Sequence, residues 1–361
     1  MRQLGISIYP QYGTEKEQFD YLERASSHGF SRLFTCLMSV SEEKDVKQMK
    51  NLLSRAQKLG YEVIADVSPS VFQDLQLSYK DLGYFKELGL SGLRLDLGFS
   101  GLEESIMSMN EYGLKIELNV SQGTKYLEQI LSYSPNKHAL IGCHNFYPRK
   151  YTGLSREHFL KCSKQYKEHG IRTAAMISSS HANYGPWPVQ EGLPTLEEHR
   201  YLPIIVQAKD LFNTGVIDDL IIGNAFASEE ELSQLGRLNR YLLELSIQFQ
   251  SGISQVERKI ALERTHINRG DVSAYGIRST ESRIEFKKEA FPAHHTELIK
   301  RGHVTIDNDL YERYKGELHI ALKEMENEGK SNIIGNIAEE ELFLLNKIEP
   351  WQKFKLVEKK S

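Results

Sequence analysis

Short apolar runs alternate with longer amphipathic segments through the first two thirds of the chain. The runs cover residues 4–9, 31–37, 61–67, 93–97, 114–120, 139–146, 173–177 and 220–222, and their length and bounding polar segments read as strands. Between them, apolar positions return at helical spacing. Ser41-Glu42-Glu43, for example, opens a stretch carrying Met49, Leu52, Leu53 and Ala56 that closes at Gly60, as a C-terminal glycine should. Thr195-Leu196-Glu197-Glu198 and Ser228-Glu229-Glu230-Glu231 have the S/T-x-x-E form of a capping box. Strict strand–helix alternation predicts a parallel sheet, and eight such units within about 240 residues predict a closed (β/α)8 barrel of the α/β class. No strand opens into a GxGxxG or GxxxxGK[ST] loop, which argues against an open nucleotide-binding sheet.

From about Arg240 the pattern changes to short alternating runs at 241–249, 257–262, 272–277, 304–306, 316–320, 333–337 and 354–357, with turn chemistry at Asn268-Arg269-Gly270-Asp271 and Asp307-Asn308. This predicts a small antiparallel β-barrel domain. The expected division is residues 1–239 for the barrel and 240–361 for the β domain.

Composition narrows the function classes. In 361 residues, a formal charge of -4 with 26% charged and 40% hydrophobic residues describes an ordinary globular protein without the basic footprint of a nucleic-acid binder. No apolar run approaches the roughly 20 residues that span a bilayer, and Met1-Arg2-Gln3 leads into the first run without an apolar leader. The expectation is a cytoplasmic protein with no membrane or nucleic-acid partner. Cys36, Cys143 and Cys162 are odd in number and form no CxxC pair, so neither a disulfide framework nor a zinc site is expected. His294-His295 lacks HExxH or HxH spacing, and no GxSxG elbow is present. No metal and no cofactor are expected.

The chemistry centres on Gly92-Leu93-Arg94-Leu95-Asp96-Leu97-Gly98. Period-two alternation puts Arg94 and Asp96 on one face and the leucines on the other. With Asp66 on the third strand and Glu117 on the fifth, three inward carboxylates fall toward the C-terminal ends of successive strands, where barrel enzymes keep their active sites. Each acid alone reads equally as a surface charge or a partner for Arg94; three together point to paired carboxylates, one protonated and one ionised, as glycoside cleavage needs. Neighbouring strands about 4.8 Å apart favour Asp96 with Glu117 as the near pair, Glu117 as general acid, Asp96 as nucleophile or cation stabiliser and Asp66 tuning their charge.

Other residues offer substrate contacts, each with a plainer reading beside it. Asn119 orients a substrate amide or caps a loop. The sixth strand ends in His144-Asn145-Phe146-Tyr147-Pro148-Arg149, where His144 is a site group or a satisfied core histidine, Asn145 and Tyr147 lie on the expected face, and Arg149 binds an anion or is solvated. The long loop 178–194 carries Tyr184 and Trp187, which stack on a sugar or anchor the loop. Asn224 precedes a helix start at Ser228, a place where barrels often bind phosphate.

Gly5-Ile6-Ser7-Ile8-Tyr9-Pro10, Arg94-Leu95-Asp96-Leu97-Gly98, His144 through Arg149, Asn268 through Asp271, and Ile306-Asp307-Asn308-Asp309-Leu310-Tyr311 with Arg313-Tyr314-Lys315-Gly316-Glu317-Leu318 together resemble the bacterial 6-phospho-N-acetylmuramidases, once labelled outer surface proteins. The resemblance spans nearly the whole chain. It implies a barrel followed by a cyclophilin-like β domain. It also implies hydrolysis of N-acetylmuramic acid 6-phosphate linked to N-acetylglucosamine, a cytoplasmic step in recycling cell-wall sugars. Such a phosphorylated amino-sugar disaccharide would give Arg94, Arg149 and Arg278 a phosphate and a carboxylate to bind, with Arg278 contributed by the second domain. Assembly into a homo-oligomer is compatible with all of this. The competing readings are a non-enzymatic sugar- or peptide-binding protein and a sugar-phosphate isomerase or lyase on the same barrel.

Overall fold

The computed structural model describes residues 1–37 and 43–359. The expected helix start at Ser41-Glu42 lies outside them. The chain forms two compact units, Met1–Leu238 and Asn239–Ser361.

In the first unit, β1 (Gln3–Ser7), β2 (Arg32–Cys36), β3 (Glu62–Val67), β4 (Gly92–Leu95), β5 (Lys115–Asn119), β6 (Leu140–Cys143), β7 (Arg172–Ile177) and β8 (Asp219–Ile222) close into a barrel in sequence order. The β1–β8 and β1–β2 pairs are both parallel, so the (β/α)8 expectation holds. Alternation decides the faces: Leu93, Leu95, Ile116 and Leu118 pack outward against the helices in the main core, while Arg94 and Glu117 point inward.

Three layers fill the barrel. At the N-terminal end, buried Arg32 bonds Glu117 and, at 2.8 Å, Asp219, and Arg172 joins Asp219 to Glu62. Above this ionic layer, Tyr9, Phe34, Cys143, Met176 and Ile221 form an apolar plug. Asp66 and Arg94 cap it on the C-terminal side. The plug keeps water from the ion pairs below and gives the cleft above a dry floor.

The strands stop earlier than the apolar pattern does. β4 ends at Leu95, leaving Asp96 in the loop and Leu97 exposed. Gly98 has a specific reason to be glycine: a Cβ there would lie 1.9 Å from the Tyr126 hydroxyl, which bonds Glu104. One expected capping box forms and the other does not. Ser228 and Glu231 cap the helix Glu229–Gly236 reciprocally, whereas the Thr195 hydroxyl instead bridges the Met176 N–H and the Asn145 carbonyl, and only a short 3-10 turn, Glu197–His199, follows.

The second unit is a seven-stranded sheet in the order β10 (His266–Ile267), β15 (Lys353–Glu358), β9 (Leu243–Phe249), β14 (Ser331–Ile337), β12 (His303–Asp307), β13 (Leu318–Ala321), β11 (Gly276–Ser279). Its edges approach each other through Arg269 N–H to Arg278 O and His266 Nδ1 to Ser279 Oγ, both 3.0 Å. The sheet is mixed, because β9 and β15 run parallel. The expected strand at 257–262 is a helix, Gln255–Leu262, started by a Ser254–Glu257 capping box. Among the described residues no helix is long and apolar enough to cross a membrane.

Candidate active site

Asp66 and Asp96 meet at one guanidinium. Arg94, buried on β4, donates from Nη1 to Asp66 Oδ1 at 2.9 Å and to Asp96 Oδ1 at 3.3 Å, and its Nη2 bonds Asn145 Oδ1. Two hydrogen bonds to one nitrogen hold the two carboxylate oxygens within about 6 Å of each other. The environments differ. Asp66 is nearly enclosed, and burial with the charge of Asp96 pushes its carboxyl up against the opposing pull of Arg94. The Asp96 side chain is 35% exposed and also accepts from Asn119 Nδ2 at 3.3 Å. Flanked by two aspartates, the Arg94 guanidinium is held firmly charged.

A cavity of about 360 Å³ opens over this trio, with Phe34 and Cys36 on its floor and Asn145, Phe146, Pro186 and Trp187 on its walls. A second cleft of about 350 Å³, bordered by Asn119, Gln122, Lys125 and Tyr126, also reaches Asp96. Asp96 is thus common to two adjacent chambers.

Glu117 does not join them. It is fully buried and bound to Arg32 in the ionic layer. Pairing across the strands sets Asp66, Arg94 and Glu117 side by side in register, but strands in a closed barrel are tilted by about 36°, so residues level in register lie at different depths. The expected near pair of Asp96 with Glu117 is therefore replaced by Asp96 with Asp66.

Two family models match the chain: "6-phospho-N-acetylmuramidase, N-terminal" over residues 4–237 and "6-phospho-N-acetylmuramidase, C-terminal" over residues 243–357. The chain belongs to the 6-phospho-N-acetylmuramidase family. It is accordingly a glycosidase, with a sugar as substrate. Among solved structures, an uncharacterized protein from B. cereus is 52% identical, with a TM-score of 0.92 over 99% of both chains. A conserved protein of unknown function from Enterococcus faecalis is 25% identical, with a TM-score of 0.72 over 99% of this chain and 96% of that one. No curated protein matches the sequence.

In this 6-phospho-N-acetylmuramidase family member the remaining expected site residues divide by position. His144 is the core histidine of the two readings: it lies between Ser121 Oγ (3.2 Å) and Ser163 Oγ (2.8 Å), and burial drives its pKa down to about 3. Its role is indirect. Ser121 Oγ also accepts the Asn145 N–H at 2.8 Å, so the Ser163–His144–Ser121 chain fixes the loop that presents Asn145 to Arg94. Ser121 was missed in the sequence because nothing in its neighbours reveals a partner on another strand. Asn119 both caps its loop, accepting the Ser121 N–H at 2.9 Å, and braces Asp96. Tyr147 is half-buried, which raises its phenol, and it does not line either chamber.

Tyr184 anchors its loop, stacked on Tyr12 with centroids 5.0 Å apart and paired with Ala225 through two 2.8 Å backbone bonds. Asn224 closes the loop after β7 by bonding Ser179 and Ala182. The helix N-terminus after it is not open to phosphate, because the Glu231 carboxylate already takes the N–H groups of Ser228 and Ser180. Arg149 is exposed and in no ion pair among the described residues, outside the lining of either chamber. Arg278 lies in the second unit, bound to Glu317. Glu198, His199 and Asp210 bring donor atoms within 4.8 Å, but Arg156 bonds both carboxylates and supplies the cation there.

Trp187 alone among the expected stacking residues borders the main cavity while 52% exposed. Trp187→Ala should raise KM about three- to tenfold, the worth of one aromatic contact, with kcat within about twofold. Initial-rate kinetics on the wild type and the variant measure this.

Proposed function

We propose that the enzyme hydrolyses the bond between N-acetylmuramic acid 6-phosphate and N-acetylglucosamine, with Asp66 as proton donor and Asp96 as nucleophile or cation stabiliser. The observation that carries this reading is the shared guanidinium: two carboxylates within about 6 Å, one desolvated and pushed toward its protonated form, the other open to substrate. That separation matches the roughly 5–5.5 Å of retaining enzymes more closely than the wider inverting range. Asp66 gives its proton to the glycosidic oxygen as the bond breaks, and Asp96 faces the developing positive charge on the sugar. Arg94 orients both acids through its bonds to Asp66, Asp96 and Asn145.

A disaccharide suits a residue shared by two chambers. With the scissile bond at Asp96, one sugar occupies the cavity beside Trp187 and the other the cleft beside Asn119 and Tyr126. Arg149 remains a proposed anion contact. Three buried cysteines without a disulfide favour a reducing compartment, which supports a cytoplasmic place for the reaction in recycling cell-wall sugars.

Mass spectrometry of products from the phosphorylated disaccharide and its unphosphorylated twin tests the reading. Hydrolysis releases two monosaccharides from the phosphorylated form by preference. An isomerase leaves the mass unchanged, a lyase gives an unsaturated product, and a binding protein returns the substrate intact; any of these rejects the proposal.

A further inference from the structure

The second unit carries a basic cleft that the glycosidase chemistry does not use. It has a volume of about 700 Å³, and Arg269, Arg278, Arg283, Lys287, Arg313 and Lys315 line it against only two carboxylates, Asp271 and Glu312. The residues come from segments far apart in sequence. Two stretches that carry the family resemblance, Asn268–Asp271 and Arg313–Lys315, converge on this one place together with Arg278 of β11.

The charges there are not mutually cancelled. Arg269 is clamped by Asp271 and Lys315 contacts Asp309 at 3.2 Å. Beneath them the buried Glu317 takes Arg278 through two bonds of 2.9 and 2.7 Å and Arg283 at 2.9 Å. Against the pull of burial, Asp307 at 3.4 Å and Glu317 at 3.3 Å raise the pKa of His319 to about 9, so at neutral pH its charge offsets part of theirs. Lys287 and Arg313 are exposed and form no ion pair among the described residues.

Glu317 fixes two guanidinium planes without covering them, which leaves their outer N–H groups for a ligand. Arg283 also sits 5.3 Å over the Tyr314 ring, whose other surroundings are open enough to leave it exposed. Guanidinium forks match the oxygens of a phosphate bidentately, and lysine adds a mobile charge. A bounded cleft on a chain of net charge -4 suits a small molecule better than a nucleic acid, which needs an extended basic face.

We infer that the second unit binds the phosphate group of a phosphorylated small molecule, a sugar phosphate by preference, in the cleft between Arg283, Lys287 and Arg313. This goes beyond the hydrolytic reading and does not depend on it, since binding is measured without turnover.

The test is calorimetric titration of the full-length protein with inorganic phosphate and with a hexose 6-phosphate, repeated with Lys287→Gln/Arg313→Gln and with Asp96→Asn. Both substituted residues of the double variant are exposed and in no ion pair among the described residues, so folding should be unaffected, and circular dichroism checks it. The expected result is saturable binding of both ligands, tighter for the sugar phosphate, weakened about tenfold or more by the double variant and unchanged by Asp96→Asn. Absence of saturable binding, equal binding of chloride, or equal affinity in the double variant overturns the inference. Steady-state kinetics then separate two sources of the phosphate. A KM raised about tenfold for the phosphorylated disaccharide but not for its twin assigns the cleft to the substrate's own phosphate, and unchanged kinetics with phosphate binding lost assign it to a separate sugar phosphate.

Discussion

Asp66→Asn lowers kcat on the disaccharide by about 10²- to 10⁴-fold, the usual worth of a positioned proton donor. The loss should depend on the leaving group. An aryl glycoside of the same phosphosugar with a good phenolate leaving group needs little protonation, so the variant should recover most of its rate there, whereas the wild type changes much less between the two substrates. The pH profile carries a second signature. Because burial and the Asp96 charge raise the Asp66 pKa and the proposed reaction uses its protonated form, wild-type activity is expected to fall as pH rises through that value, and the variant to lose this alkaline limb. A uniform loss on both substrates with the limb intact would move the proton to another group.

Glu117→Ala acts on the fold instead. It leaves Arg32, which is almost wholly buried, with Asp219 and a distant Glu62 as its acidic neighbours among the described residues, and breaking a buried pair typically costs about 3–5 kcal/mol. The expected result is a urea midpoint for the first unit shifted down accordingly, with Glu117→Gln destabilised less because it keeps the volume and one hydrogen bond. Below the shifted transition, turnover per folded molecule stays within a few-fold of wild type. If Glu117→Gln were as stable as the wild type yet inactive, the ionic layer would have to be read as part of the chemistry.

These two residues show what the sequence could and could not disclose. Alternation along 92–98 identified Arg94 as inward-facing, and the same period placed Glu117 on the inner face. Period two gives the face of a strand but not the depth along a tilted barrel, so from sequence Glu117 reads as a rim residue. Only the partner, Arg32 on β2, reveals its level. Capping boxes show the same limit: Ser254-x-x-Glu257 signals a helix that the apolar pattern of 257–262 hid, and Thr195-x-x-Glu198 has the same letters but spends its hydroxyl between β7 and the loop after β6. A local motif decides the outcome only when tertiary partners leave it free. The Ser163–His144–Ser121–Asn145 chain joins elements with no common pattern, and so had no signature to read.

The two units also differ in how much the pattern told. Parallel strands covered on both sides leave dense apolar runs, and all eight barrel strands were located within a few residues. In the second unit the two-residue strand β10 is too short to show a period, and the parallel β9–β15 pair joins the beginning of the unit to its end.

The most direct measurement of the central claim is an NMR time course of the phosphorylated disaccharide with the wild type and with Asp96→Asn, each verified as folded. The wild type is expected to release a new N-acetylglucosamine reducing end together with the 6-phosphosugar, and Asp96→Asn to slow this by about 10²- to 10⁴-fold. Release by Asp96→Asn at close to the wild-type rate would contradict that claim.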